Sequence, residues 1–192
     1  METHSEEHVL NGHSEPKTFL VSLGVNDLPN VWGAIEPVLS KACADSRGEF
    51  TIPGILHNMG LNDGVEMWRL LAIVRGDELQ AVMVVCVTQL DDGCLSLDCL
   101  LAGGDRAKDW VKVDPEFDAF ARQRGCRKVR IPRARTGWPQ ILPHWRITGV
   151  WLEPIKEEEK HFAAICIPRG AARMARRALR WATKGYVMER EI

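Results

Sequence analysis

The residues best suited to chemistry in this 192-residue chain are a glycine pair and its polar neighbours, Gly103-Gly104-Asp105-Arg106. Backbone N–H groups of Gly103, Gly104 and Asp105, set at the C-terminal edge of a strand beside a helix start, attract an anionic ligand. The alternative is that two glycines simply let the chain turn. A second group is the cationic run Arg169–Lys184, in which Arg173, Arg176, Arg177 and Arg180 surround Trp181. It suits phosphates, an acidic protein or a membrane surface, with Trp181 as an anchor; its other reading is a helix docked on its own domain. The six cysteines are scattered without a CxxC pair, and the six histidines are equally dispersed. Neither set has the spacing zinc demands, so the thiols read as small buried hydrophobes and no metal is expected.

Around the glycine pair the pattern predicts a βαβ unit. Leu95–Ala102 is a short apolar run, and 103–109 reads as a polar loop. Asp114 is placed to cap a helix, Pro115 suits its first turn, and Phe117, Phe120 and Ala121 share one face. Gly125 ends that helix, and Cys126–Ile131 alternates as a second strand. A strand–helix–strand crossover makes parallel sheet with a right-handed connection.

The rest of the chain supplies neighbours for that unit. Lys17–Leu23 is a strand, and Asn26–Ala44 a helix with Asp27 as its cap and Pro37 as a kink or break. Thr51–Met59 is a short helix capped by Thr51. Met67–Val74 and Leu79–Gln89 form a hairpin about Gly76, and the Asp91-Asp92-Gly93 turn leads on into Leu95. After Ile131 come a short helix in Thr136–His144, strands Arg146–Ile155 and His161–Ile167, and the helix Arg169–Lys184. The domain reading is therefore a flexible leader (1–16), one domain (17–167) and a basic helical extension (168–192). The fold class is α/β (α+β), with a mixed central sheet of about seven strands, flanking helices and a C-terminal basic helix.

Composition narrows the function classes. Apolar residues make up 45% and charged residues 27%, which suffices for a proper core. A net charge of −1 gives no global push toward nucleic acid or membrane. No apolar run reaches membrane-spanning length, and METHSEEHVL lacks the basic and apolar regions of a signal peptide, so a cytosolic protein is expected.

The element order, with the wording Gly125-Cys126-Arg127-Lys128-Val129-Arg130-Ile131 and Arg135-Thr136-Gly137-Trp138-Pro139-Gln140-Ile141-Leu142, resembles the GNAT acyltransferase fold. The local wording also resembles the GNAT-like proteins encoded by many tailed bacteriophages, and the resemblance covers roughly residues 17–167. In active GNAT enzymes the splayed end of the fourth strand holds the pantetheine arm of acetyl-CoA, and the following loop wraps the pyrophosphate. The resemblance places Leu100, Leu101 and Ala102 at the strand end and Gly103, Gly104, Asp105 and Arg106 in the loop. That loop departs from the family spacing, and Asp105 sets a negative charge beside the pyrophosphate. Asp98 and Glu66 are the carboxylates available as a base, each with a plain structural alternative. The only tyrosine, Tyr186, lies outside the matched region. Arg133, Arg135 and Trp138 read either as an electropositive rim with an aromatic wall or as solvated arginines beside a core tryptophan.

Two functions from different classes follow from the resemblance. One is a catalytically degenerate phage-type protein, a virion structural or assembly component in the host cytoplasm or the particle. It would contact other virion or host proteins, or DNA, through its C-terminal helix, and it is compatible with a homo-oligomer. The other is an active acetyl-CoA-dependent N-acetyltransferase.

Overall fold

The computed structural model describes residues 16–46, 48–61, 68–104, 107–135, 138–154, 165–168 and 181–192. The expected leader up to residue 15 lies outside them. Strand β1 (Thr18–Leu23) leads into helix α1 (Leu28–Asp45) and helix α2 (Ile52–Gly60). Leu28, Ile35, Leu39, Ala42 and Cys43 recur at helical spacing and are the buried face of α1. Asp27 sits at the N-cap, yet its carboxylate accepts from the Gly24 N–H at 2.7 Å rather than from the helix. Pro37 lies inside α1, which runs through it to Asp45 instead of breaking. Thr51 does cap α2, its hydroxyl accepting from the Gly54 N–H at 3.2 Å.

Strands β2 (Trp68–Arg75), β3 (Glu78–Gln89) and β4 (Leu95–Gly104) form the expected antiparallel meander. Gly76, at φ +60°, supplies the left-handed residue of the β2–β3 turn. A 3-10 segment (Ala107–Val113) then leads into helix α3 (Asp114–Gln123), and strand β5 (Lys128–Arg135) pairs with β4 in parallel. One turn of helix, α4 (Trp138–Ile141), precedes β6 (Arg146–Pro154), β7 (Ile165–Pro168) and β8 (Trp181–Glu191).

Among the described residues the sheet has eight strands in the order β1-β2-β3-β4-β5-β8-β6-β7, against the expected seven or so. The extra strand corrects the C-terminal reading. Trp181 to Lys184, expected to close a basic helix, open β8, which lies between β5 and β6 and is antiparallel to both. Alanine- and arginine-rich wording favours helix locally, but Trp181, Ala182 and Thr183 pair with Pro154, Glu153 and Leu152 of β6, and that tertiary pairing decides the state of this segment. Residues 169–180, with Arg173, Arg176, Arg177 and Arg180, lie outside the described residues.

The sheet has a core on each face. Leu23, Leu70, Ala72, Val82 and Val84 pack under α1 and α2. Leu71, Ile73, Met83, Leu97, Val129 and Met188 pack on the other face under α3, with Phe117, Phe120 and Ala121 presented by that helix as its spacing predicts. Among the described residues no helix is long and apolar enough to cross a membrane.

Candidate functional site

The sheet parts in its middle. The β4–β5 ladder covers only Ser96–Asp98 against Lys128–Arg130, although β4 continues to Gly104 and β5 to Arg135. Both strands bulge just beyond the shared ladder. Leu100 is the extra residue of β4 against Val84 and Val85 of β3, and Pro132-Arg133 interrupt β5 against β8. Bulges bend a strand and increase its twist, so two of them on facing strands drive the pair apart. A proline is tolerated at such a position, which is why β5 continues past Pro132 although the expected strand stops at Ile131. From Cys99 onward the β5-facing edge of β4 has no strand partner among the described residues. Leu100, Leu101, Ala102 and Gly103 are half-buried there and Gly104 is exposed. Such an edge offers backbone donors and acceptors to an extended, amide-bearing ligand.

Asp98 closes the base of this wedge. Arg130 grips its carboxylate with two parallel bonds, Nε to Oδ1 at 2.9 Å and Nη2 to Oδ2 at 2.5 Å, and the Ser96 hydroxyl donates to Oδ1 at 2.8 Å. Asp98 is only 3% exposed. A carboxylate held in a buried fork by a guanidinium has the environment of a structural group rather than of a catalytic base. Glu66, Asp105 and Arg106 lie outside the described residues, and Tyr186 enters β8 opposite Ala134.

Gly103 and Gly104, expected at the start of a loop, form the end of β4 and pair with Val82 and Ala81; residues 105 and 106, which follow, lie outside the described residues. Helix α1 presses on Gly103, where a Cβ would stand 2.8 Å from the Ala42 Cβ and 3.0 Å from the Val38 carbonyl. Gly104 has φ +139°, and a Cβ there would fall 2.7 Å from the Ala81 Cα and closer still to the Gln80 carbonyl oxygen. Close packing and backbone conformation demand both glycines. Gly104→Ala is therefore expected to destabilise the fold by about 2–4 kcal/mol, read from urea unfolding. A change below about 0.5 kcal/mol would return Gly104 to the role of a turn residue.

Helix α3 adds nothing cationic to the wedge. It begins at Asp114, behind the 3-10 segment, and carries Asp114 and Glu116 in its first turn. Those carboxylates oppose the binding of an anion at that helix end. Asp114 is the first helical residue rather than the cap, which is Val113. Its Oδ2 lies 2.7 Å from His144 Nε2 and its Oδ1 3.4 Å from Arg190 Nη2. Arg190 also reaches Asp118 Oδ1 at 2.5 Å, tying β8 to α3, and its guanidinium stacks 5.0 Å from the Trp145 ring centre.

Aromatic side chains seal the inner end of the wedge on the α3 face. Trp110, Phe117, Leu142 and Trp145 pack over Cys99 of β4 and Ile131 of β5, leaving a cavity of about 20 Å³. Trp138 meets Trp110 edge-on, with ring centres 4.9 Å apart and planes at 81°, so it acts as a core tryptophan. Burial pushes the Cys99 thiol up to about 12, and burial likewise raises Cys43, Cys86 and Cys126, leaving these four thiols protonated and inert. On the α1/α2 side Arg133 pairs with Glu49, and Arg135 Nη2 lies 3.3 Å from Asp45 Oδ2. The expected electropositive rim is thus largely neutralised by its own acidic neighbours. Sequence reasoning missed Trp110, Trp145 and Arg190. The one local signal was the Trp110–Val113 spacing of one turn just ahead of Pro115.

No family model matches this chain, and no curated protein does. Solved structures do. A probable acetyltransferase from Staphylococcus epidermidis superposes with a TM-score of 0.56 at 8% identity, over 91% of this chain and 99% of that one. An acetyltransferase of the GNAT family from Streptococcus pneumoniae gives 0.50 at 11% identity, over 92% and 99%. At such identities the likeness establishes the fold: a mixed GNAT-like sheet with flanking helices.

Proposed function

We propose that this chain is a GNAT-fold protein that transfers no acyl group and serves as a structural or assembly component, of the kind tailed bacteriophages encode. The observation that carries the non-catalytic part is the aromatic filling at the inner end of the wedge. Among the described residues the space left there between Trp110, Trp145, Cys99 and Ile131 is about 20 Å³, room for little more than one water, whereas ligand pockets run to roughly 300–1,000 Å³. Three further features support it. The buried carboxylate on β4 is held by Arg130, the glycine pair is consumed by packing, and the helix after β4 starts with two acids. The assembly role rests on the phage-like wording around Gly125–Ile131 and Arg135–Leu142. Its partners are particle or host proteins, or DNA, for which the run carrying Arg169, Arg173, Arg176, Arg177 and Arg180 supplies complementary charge. The place of action is the host cytoplasm and then the particle.

An acetyl-CoA-dependent N-acetyltransferase is the second reading, favoured by the unpaired, solvent-accessible edge of β4 from Leu100 to Gly104. Calorimetric titration of the full chain with acetyl-CoA separates the two. No heat beyond dilution is expected up to millimolar ligand. Saturable one-site binding would overturn the non-catalytic reading and send the search to amine acceptors. Mass spectrometry of purified particles then tests the assembly role, with a fixed copy number expected and absence from the particle counting against it.

A further inference from the structure

The small cavity at the inner end of the wedge is not wholly apolar. Trp145 lines it and is only 6% exposed, and its indole Nε1 is buried with no hydrogen-bond partner among the described residues. Buried indole N–H groups nearly always find an acceptor, because an unmet donor keeps its desolvation cost. Asp114 lines the same cavity, and its carboxylate, although engaged by His144 and Arg190, has lone pairs to spare. About 20 Å³ exceeds the ~10–15 Å³ that one water requires and excludes anything much larger.

We infer that this cavity holds one ordered water molecule, accepting from Trp145 Nε1 and donating to the Asp114 carboxylate. The water joins the segment before β6 to the first turn of α3, and so latches Trp145 over the point where β4 and β5 part. His144 and Arg190 hold Asp114 from outside the cavity, at 2.7 Å and 3.4 Å. Trp145 and Asp114 are thus positioning residues for the seal, acting through a bound solvent molecule.

Nuclear magnetic resonance of the full chain with nitrogen-15-labelled tryptophan tests this directly. Trp145→Phe assigns the Trp145 indole signal among the seven tryptophans. In the wild type that N–H is expected to exchange slowly and to show a cross-peak to a long-lived water. Asp114→Leu is expected to abolish the cross-peak and speed indole exchange at least tenfold. Asp114→Asn, which keeps the shape and an acceptor oxygen, should retain the cross-peak and covers the case in which the leucine variant fails to fold. Absence of a water cross-peak in the wild type, whether the indole bonds directly to Asp114 or faces a dry cavity, overturns the inference.

Discussion

A chain ending at residue 180 is expected to lose its cooperative unfolding transition altogether. Strand β8 is interior to the sheet, with Lys128–Arg135 of β5 on one edge and Arg146–Pro154 of β6 on the other. Among the described residues, β6 and β7 have no ladder to the rest of the sheet without it. The cut also removes fully buried Met188, buried Val187, and the Arg190 tie to Asp118. A lost buried methionine costs about 2–5 kcal/mol, and each ladder hydrogen bond about 0.5–1.5 kcal/mol. Together these exceed the roughly 5–15 kcal/mol that holds a whole domain. Circular dichroism melts and size-exclusion chromatography read the outcome. A truncated chain with a sharp melt and the elution of a compact monomer would mean that the last residues hang free of the domain, as the helical reading expects.

Asp98→Ala is expected to cost about 3–5 kcal/mol, because it strips the bidentate carboxylate from a guanidinium held largely inside the fold. The double variant Asp98→Leu/Arg130→Met should recover most of that loss, since an apolar pair of similar volume leaves no charge to satisfy. Urea midpoints for Asp98→Leu, Arg130→Met and the double variant give the coupling between the residues. A single-variant loss under about 1 kcal/mol would place the Asp98 pair among weak surface contacts and reopen its role as a base.

Several elements were legible before any fold was known because their cause lies within a few residues. Alternating apolar residues in β2 and β3, with Gly76 between them, specify a hairpin whatever surrounds it. The helical recurrence of Leu28, Ile35, Leu39, Ala42 and Cys43 makes α1, and Phe117, Phe120 and Ala121 make the inner face of α3. The element order then points to the GNAT-like sheet. The candidate site was legible only in outline: Leu100, Leu101 and Ala102 lie on β4 beyond its ladder with β5, while Asp105 and Arg106 of the expected loop lie outside the described residues.

By itself, then, the sequence determined which stretches alternate, which recur every three to four residues and where the chain turns, since backbone geometry imposes those periods locally. Tertiary structure decided everything that depends on a distant partner. Leu152, Glu153 and Pro154 of β6 pair with Thr183, Ala182 and Trp181 and turn the end of a helix-favouring tail into the start of an interior strand. Arg130 turns Asp98 from a candidate base into half of an ion pair. Ala42 and Ala81 turn a glycine pair from a loop into a close contact, and Trp110 and Trp145 close the wedge from separate segments. Charge, volume and hydrogen-bond partners act across space rather than along the chain, so the same residues carried two readings until their neighbours were in place.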